Sequence, residues 1–220
     1  MFKSFCALVG ALSLVALPSA ALAQTTVNSS RAAWVTQAGA VASRNMNSNS
    51  FTGVNDSNEY RSYISYAIPA STSAFTSAVI RVNVEGVSAG PNDLTVYDVS
   101  SDIATAMGTD LYADFGSGTV FGTITGLNTS GATVDITLNA DGLSAVNAAR
   151  GGEISFGFVS SPNNSSIDGV FGLSTDITPR QLILTTPATI PTLSEWAMIL
   201  FGLSLAGGAA LYIQRRQTTV

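Results

Sequence analysis

Ala78-Val79-Ile80-Arg81-Val82-Asn83-Val84-Glu85 is the stretch that decides the fold. Ala78, Ile80, Val82 and Val84 share one parity, while Arg81, Asn83 and Glu85 share the other. A repeat of two is the strand period, with one face buried and one wet, whereas a helix would repeat at 3.6. The same alternation returns at Val134, Ile136 and Leu138 and again at Ile154, Phe156 and Phe158. Residues 62–68, 94–99, 119–125, 170–173 and 181–185 are further strand candidates, and Gly, Asn, Ser and Pro fill the intervals. Eight or so short half-buried strands with turn signals between them predict an all-β domain, an antiparallel β-sandwich or jelly roll. Two short helices are expected to interrupt it. One covers residues 101–107; the other covers 143–150, starting from Asp141 as N-cap and stopping at Gly151-Gly152.

Composition narrows what such a domain does. The chain has 220 residues, no His and one Cys, Cys6. An imidazole base, a His/Cys zinc site and an internal disulfide are therefore excluded. Residues 24–186 carry six Arg, no Lys and thirteen Asp plus Glu, a net charge of −7. That balance argues against nucleic acid as a partner, which needs a basic footprint. No cofactor is expected.

Both ends read as targeting segments. Lys3 is followed by an apolar run over residues 5–17, then by Pro18 and the small residues Ala21 and Ala23. The run spans only about 20 Å as a helix, too short for a ~30 Å hydrocarbon core, so residues 1–23 are expected to be a signal peptide cut by signal peptidase before Gln24. Cys6 leaves with it, and no Cys follows the small-residue site, so the signal is not of the lipoprotein kind.

At the other end, Pro187-Ala188-Thr189 reads as an extended linker into Ile190-Pro191-Thr192-Leu193-Ser194-Glu195-Trp196. Thr192 and Glu195 stand in the capping-box relation, with Pro191 and Trp196 at the flanking staple positions. A helix over residues 193–213 would measure roughly 31 Å, a bilayer's width. Trp196 and Tyr212 fall near its ends, where amphipathic rings settle, and Arg215 and Arg216 in the tail 214–220 should stay cytoplasmic. Gly202, Ala206 and Ala210 recur every fourth residue, a spacing that admits a close helix partner or is simply tolerated.

Motif, span and basic tail in this order resemble the IPTL-CTERM sorting signal of Gram-negative bacteria, with Ala197 where that family usually has Gly. The layout is similar to the PEP-CTERM signal, whose membrane partner is an exosortase, a transpeptidase-type enzyme. The resemblance implies a precursor anchored in the inner membrane with a periplasmic domain, processing by an exosortase-type enzyme, and delivery to the cell surface or beyond. It covers residues 190–220 alone. A looser likeness runs over residues 31–186, in Tyr60-Arg61-Ser62-Tyr63-Ile64-Ser65-Tyr66 and Phe115-Gly116-Ser117-Gly118-Thr119-Val120-Phe121-Gly122 among others. These segments look like those of ectodomains on PEP-CTERM-type exported proteins, and imply a sandwich without adding a catalytic residue.

Within the domain, candidate sites each compete with a plainer reading. Asn55-Asp56-Ser57-Asn58-Glu59 offers oxygens of the kind calcium takes but lacks EF-hand spacing, and turns favour the same residues. Asp93, Asp98, Asp102, Asp110 and Asp114 either converge or are separate loop carboxylates. Trp34 is the possible glycan contact, with Tyr60, Tyr63, Tyr66, Tyr97 and Tyr112 as further rings, and core packing is the commoner fate of such groups. Glu59, Glu85 and Glu153 are the domain's glutamates, and no spacing singles out a glycosidase pair, so an enzyme is not expected. The expectation is a structural or adhesive surface or matrix protein, with a carbohydrate-binding module acting on extracellular polysaccharide as the alternative. The bacterial origin that the tail's resemblance implies makes the N-x-[ST] triplets at Asn28, Asn128, Asn163 and Asn164 coincidental.

Overall fold

The computed structural model describes residues 22–162, 167–170, 180–187 and 193–217. Leu22–Pro187 forms one compact unit, and the described part of the other unit is a single helix. Among the described residues the first unit holds eleven strands: β1 (Ala23–Thr36), β2 (Thr52–Asn55), β3 (Asn58–Ala67), β4 (Ser77–Val84), β5 (Val87–Ser88), β6 (Asn92–Asp98), β7 (Val120–Leu127), β8 (Ala132–Thr137), β9 (Glu153–Ser161), β10 (Ile167–Val170) and β11 (Gln181–Thr186). Helices α1 (Gly108–Asp114) and α2 (Ala140–Ala148) interrupt them. Every strand pair is antiparallel.

Two layers result. In the first, the opening half of β1 pairs β11, then β4, then β8, so that Ile80 sits between Leu182 and Ile136. In the second, the closing half of β1 pairs β3, β9, β6 and β7 in turn, with β2, β10 and β5 continuing from the start of β3. A register shift between Ser29 and Arg31 lets β1 leave one layer and join the other. The alternation at 78–84 does what it predicted: Ala78, Ile80, Val82 and Val84 are buried, and they meet Ile64, Tyr66, Leu94, Val96, Phe156 and Phe158 of the facing layer. The protein is thus an antiparallel β-sandwich, in which apolar faces of two sheets exclude water from one core.

A second, smaller core lies on the other side of the β3 sheet. Ala33, Val35 and Tyr63 pack there against Ile103, Leu111, Tyr112 and Phe115, so α1 covers that surface. The helix expected at 101–107 is absent: Asp102 instead accepts Ala104 N–H at 2.9 Å and the Thr105 hydroxyl at 2.8 Å, holding a local turn, and the helix begins after Met107. For α2 the cap is Asn139, not Asp141. Its Oδ1 accepts Gly142 N–H at 3.0 Å, and its Nδ2 donates to Val120 O at 2.7 Å. Gly142 matters here because a Cβ would come within 2.9 Å of Phe121 Cβ, and its absence lets α2 close over β7.

The expected boundaries shift modestly elsewhere. Ala23 already belongs to β1, one residue before the expected mature start, and β1 and β2 were not anticipated. The strand expected at 170–173 appears as β10, with residues 171–173 outside the described set. The C-terminal helix α3 (Leu193–Gln217) runs four residues past the expected end at 213. Gln and Arg are good helix formers, and cations near a helix C-terminus meet its partial negative charge, so nothing stops the helix at Ile213.

Candidate functional site

The sequence carries its strongest signals in its two terminal segments. α3 has 25 residues, and within it Trp196–Arg215 has a mean hydropathy of 1.8 with none of the window buried against protein. Leu200, Phe201, Leu203, Leu205, Leu211 and Ile213 all expose more than half of their surface. The 20 residues of that window make about 30 Å of helix, long enough to cross a bilayer, whose lipid would cover its exposed apolar side chains. The Ser204 hydroxyl donates to Leu200 O at 2.8 Å, so its polar group is satisfied inside the helix, as a lipid environment requires. Gly202 and the pair Gly207-Gly208 leave open space where a Cβ would stand. Leu193, Ser194, Glu195 and Trp196 form the first turn of α3, and Trp196 is 41% exposed; Ile190, Pro191 and Thr192 lie outside the described residues. Arg215 and Arg216 occupy the last turn of the same helix.

At the N-terminal end Ala21 lies outside the described residues, while Ala23 and Gln24 open β1. Ala23 is registered opposite Thr186 and Gln24 opposite Thr185, so the expected signal-peptidase bond flanks the last strand before the linker. The first and last strands of the sandwich thus begin and end side by side, with the Thr186 hydroxyl donating to Ala23 O at 3.4 Å.

The aromatic candidates are mostly consumed by packing. Trp34 is half-buried and meets Tyr60 edge-on at 5.2 Å and 84°, and Tyr60 in turn meets Phe51 at 5.3 Å. Tyr63 is buried, donates to Ser43 O at 3.1 Å, and has its phenol pushed up to about 12 by burial. Tyr66 is fully buried, and burial raises its phenol further. Tyr112 lies under the Arg61 guanidinium, 4.1 Å from its ring centroid, with its phenol raised to about 12, again chiefly by burial. Trp34, Tyr60 and Tyr97 alone keep partial exposure among these rings.

The oxygen-rich loop is a tight hairpin turn. Asn55 pairs with Asn58, and Asp56 and Ser57 take positive φ of 47° and 70°, the geometry a two-residue connection demands. Asp110 lies in the first turn of α1, and the other aspartates each hold a local backbone segment. Asp114 accepts the N–H groups of Ser100 and Ser101 at 3.0 and 2.8 Å, Asp98 accepts Thr119 N–H at 2.6 Å, and Asp93 accepts Gly126 N–H at 2.9 Å. Among the described residues no three carboxylates gather at one point.

One feature that the sequence reading missed is a polar cleft of about 260 Å³ on the α1 side of the β3 sheet. Arg31, Ser101, Asp102, Glu153 and Ser155 supply its polar wall. Val99 borders it, and the buried Ile103 lies beneath it. The Arg31 guanidinium is ion-paired with Glu153 and also donates to Arg44 O at 3.1 Å, which fixes it across the cleft. Asp102 stays below the usual carboxylate range, held there first by the Thr105 hydroxyl, then by Ala104 N–H. The lining comes from three separated segments, so no linear motif announces it. Trp34 has the opposite strand parity to Ala33 and Val35 and lies away from this face.

The IPTL-CTERM motif matches residues 188–217, which identifies this segment as a C-terminal sorting signal. No curated protein matches the chain, so the likeness of residues 31–186 to exported ectodomains rests on sequence pattern alone.

Proposed function

We propose that the protein is an exported β-sandwich, synthesised as a membrane-anchored precursor, cut by signal peptidase before Gln24 and by an exosortase-type enzyme at the Ile190–Trp196 motif, and released to the cell surface or extracellular matrix of a Gram-negative bacterium. The observation that carries this reading is the C-terminal signal, whose bilayer-length helix is apolar on all sides and follows a domain that already has its own closed core. The domain's role in this reading is structural or adhesive and non-catalytic. Arg215 and Arg216 hold the tail in the cytoplasm, leaving the sandwich outside. The test is a fractionation of cells expressing Pro191→Ala or Trp196→Ala: uncut precursor should build up in the inner membrane. Release of both variants at the normal rate would defeat the proposal.

A second reading, a carbohydrate-binding module for extracellular polysaccharide, draws on the partly exposed Trp34–Tyr60 pair. It predicts that Trp34→Ala weakens retention on polysaccharide affinity gels; unchanged retention would remove Trp34 from the argument.

A further inference from the structure

We infer that the sandwich binds a second copy of itself edge to edge, the opening half of β1 in one copy pairing antiparallel with β8 of the next. The inference rests on the structural reading and names its partner, a like chain in an open-ended row.

Both strands are edges. Residues 23–28 of β1 pair β11 alone and β8 pairs β4 alone, so among the described residues this layer ends in an unpaired strand on either side. An unpaired edge presents a row of N–H and C=O groups that templates another strand, and proteins commonly blunt it with Lys, Pro or a bulge. Neither edge has any of these. Residues 23–28 read Ala-Gln-Thr-Thr-Val-Asn and β8 reads Ala-Thr-Val-Asp-Ile-Thr, each in unbroken register with its neighbour. The one charge, Asp135, is already paired with Arg81, so charge repulsion is not focused on this contact.

The direction of the free backbone groups fixes how two copies meet. Ser29 N–H donates to Arg180 O, so the backbone of residues 25 and 27 also turns toward β11, and that of Thr26 and Asn28 turns outward. Leu138 N–H donates to Ala78 O, so residues 134 and 136 turn toward β4, and Thr133 and Asp135 turn outward. The layer has four strands of alternating direction. A copy shifted along it without being turned over therefore presents its β1 antiparallel to β8. Thr26 then stands opposite Asp135 and Asn28 opposite Thr133, each pair exchanging both backbone bonds. The same register sets Thr25 beside Ile136 and Val27 beside Val134. Val27, Val134 and Ile136 all face the inter-sheet core, so the apolar faces of the two copies run on continuously. On the wet face the Thr26 hydroxyl meets the Asp135 carboxylate, and Asn28 meets Thr133, pairs able to hydrogen-bond across strands. Thr137 stays outside the contact, because Gly122 of β7 lies against its carbonyl. Two different edges meet, so the contact is head-to-tail and repeats into a row.

The experiment uses the purified full-length chain in detergent micelles, on a Cys6→Ser background, with a short bis-maleimide cross-linker. Asn28→Cys mixed with Thr133→Cys should give at least ten times more cross-linked dimer than either variant alone. Both substitutions in one chain should give a ladder of multimers, because the two edges of one copy lie about 14 Å apart, three strand spacings. Thr26→Pro removes an outward N–H that the domain itself does not use, so it should cut the yield at least tenfold with an unchanged thermal melt. Thr26→Val should stay within twofold of the parent. No dimer from the mixture, equal dimer from either variant alone, or capture of Asn28→Cys by Thr123→Cys of β7 instead would overturn the inference. So would full yield from a folded Thr26→Pro; if that variant does not fold, the cross-linking pattern decides alone. Because association is read on purified protein, it can fail or succeed independently of export and sorting.

Discussion

Leu205→Arg puts a charge near the middle of Trp196–Arg215, on a side chain that is 59% exposed. The insertion balance can be worked from the helix. Met198, Ile199, Leu200, Phe201, Leu203, Leu205, Leu211 and Ile213 contribute about −0.3 to −0.6 kcal/mol each, on the order of −2 to −5 kcal/mol together. The glycines and Ser204 erode that total. An arginine at the helix centre costs about +2.5 to +3.5 kcal/mol and also forfeits the leucine, a swing of roughly 3–4 kcal/mol. That consumes most or all of the driving force: the inserted-to-uninserted ratio should fall by about two to three orders of magnitude, and the membrane-integrated fraction from nearly all to a minority. Carbonate extraction of membranes, with the precursor followed by immunoblot, measures the fraction directly. Leu205→Ala, which loses only a few tenths of a kcal/mol on the same scale, should stay in the membrane pellet. If Leu205→Arg remains as carbonate-resistant as the parent, the helix is held by something other than lipid and the insertion reasoning fails.

Three further outcomes follow from the sandwich. Phe156→Ala removes a fully buried ring lying 6.0 Å from both Tyr66 and Phe121, and urea unfolding of the secreted domain should show a loss of about 3–5 kcal/mol; under 1 kcal/mol would mean the two sheets are not packed on it. Asn139→Ala should cost about 1 kcal/mol in the same assay, because it uncaps α2, whereas Asp141→Ala should cost less. Arg81 holds Asp135 in a two-pronged pair at 2.7 Å and keeps its carboxyl below the usual range, first through the side-chain hydrogen bond. The stability this lends is complete above the ordinary carboxylate pKa and is lost as pH falls through the depressed one. The gap between parent and Asp135→Asn should therefore be full at neutral pH and close in acid, as denaturation midpoints across pH will report.

How much was legible in the sequence depends on whether an element makes a regular demand on its residues. β4, β8 and β9 each keep one face in the inter-sheet core, so alternation at 78–84, 134–138 and 154–158 exposed them. β1 escaped because its opening half is an exposed edge and its closing half belongs to the other layer, with a register shift between, and no single parity runs through it. α1 escaped because it starts after Met107 with no side-chain cap, while the nearby Asp102 displays the signal of a helix start and spends it on a turn. The sorting signal was legible because its motif, span and tail are contiguous. The cleft was not, since Arg31, Ser101-Asp102 and Glu153 meet only when the closing half of β1, β9 and the loop before α1 assemble.

The most direct test is the intact mass of the protein recovered from the cell surface or medium. Processing at both ends predicts one species that begins at Gln24 and ends within residues 190–196, without the apolar helix or its arginines. Recovery of a species that still carries Arg215 and Arg216, or that begins at Met1, would contradict the account.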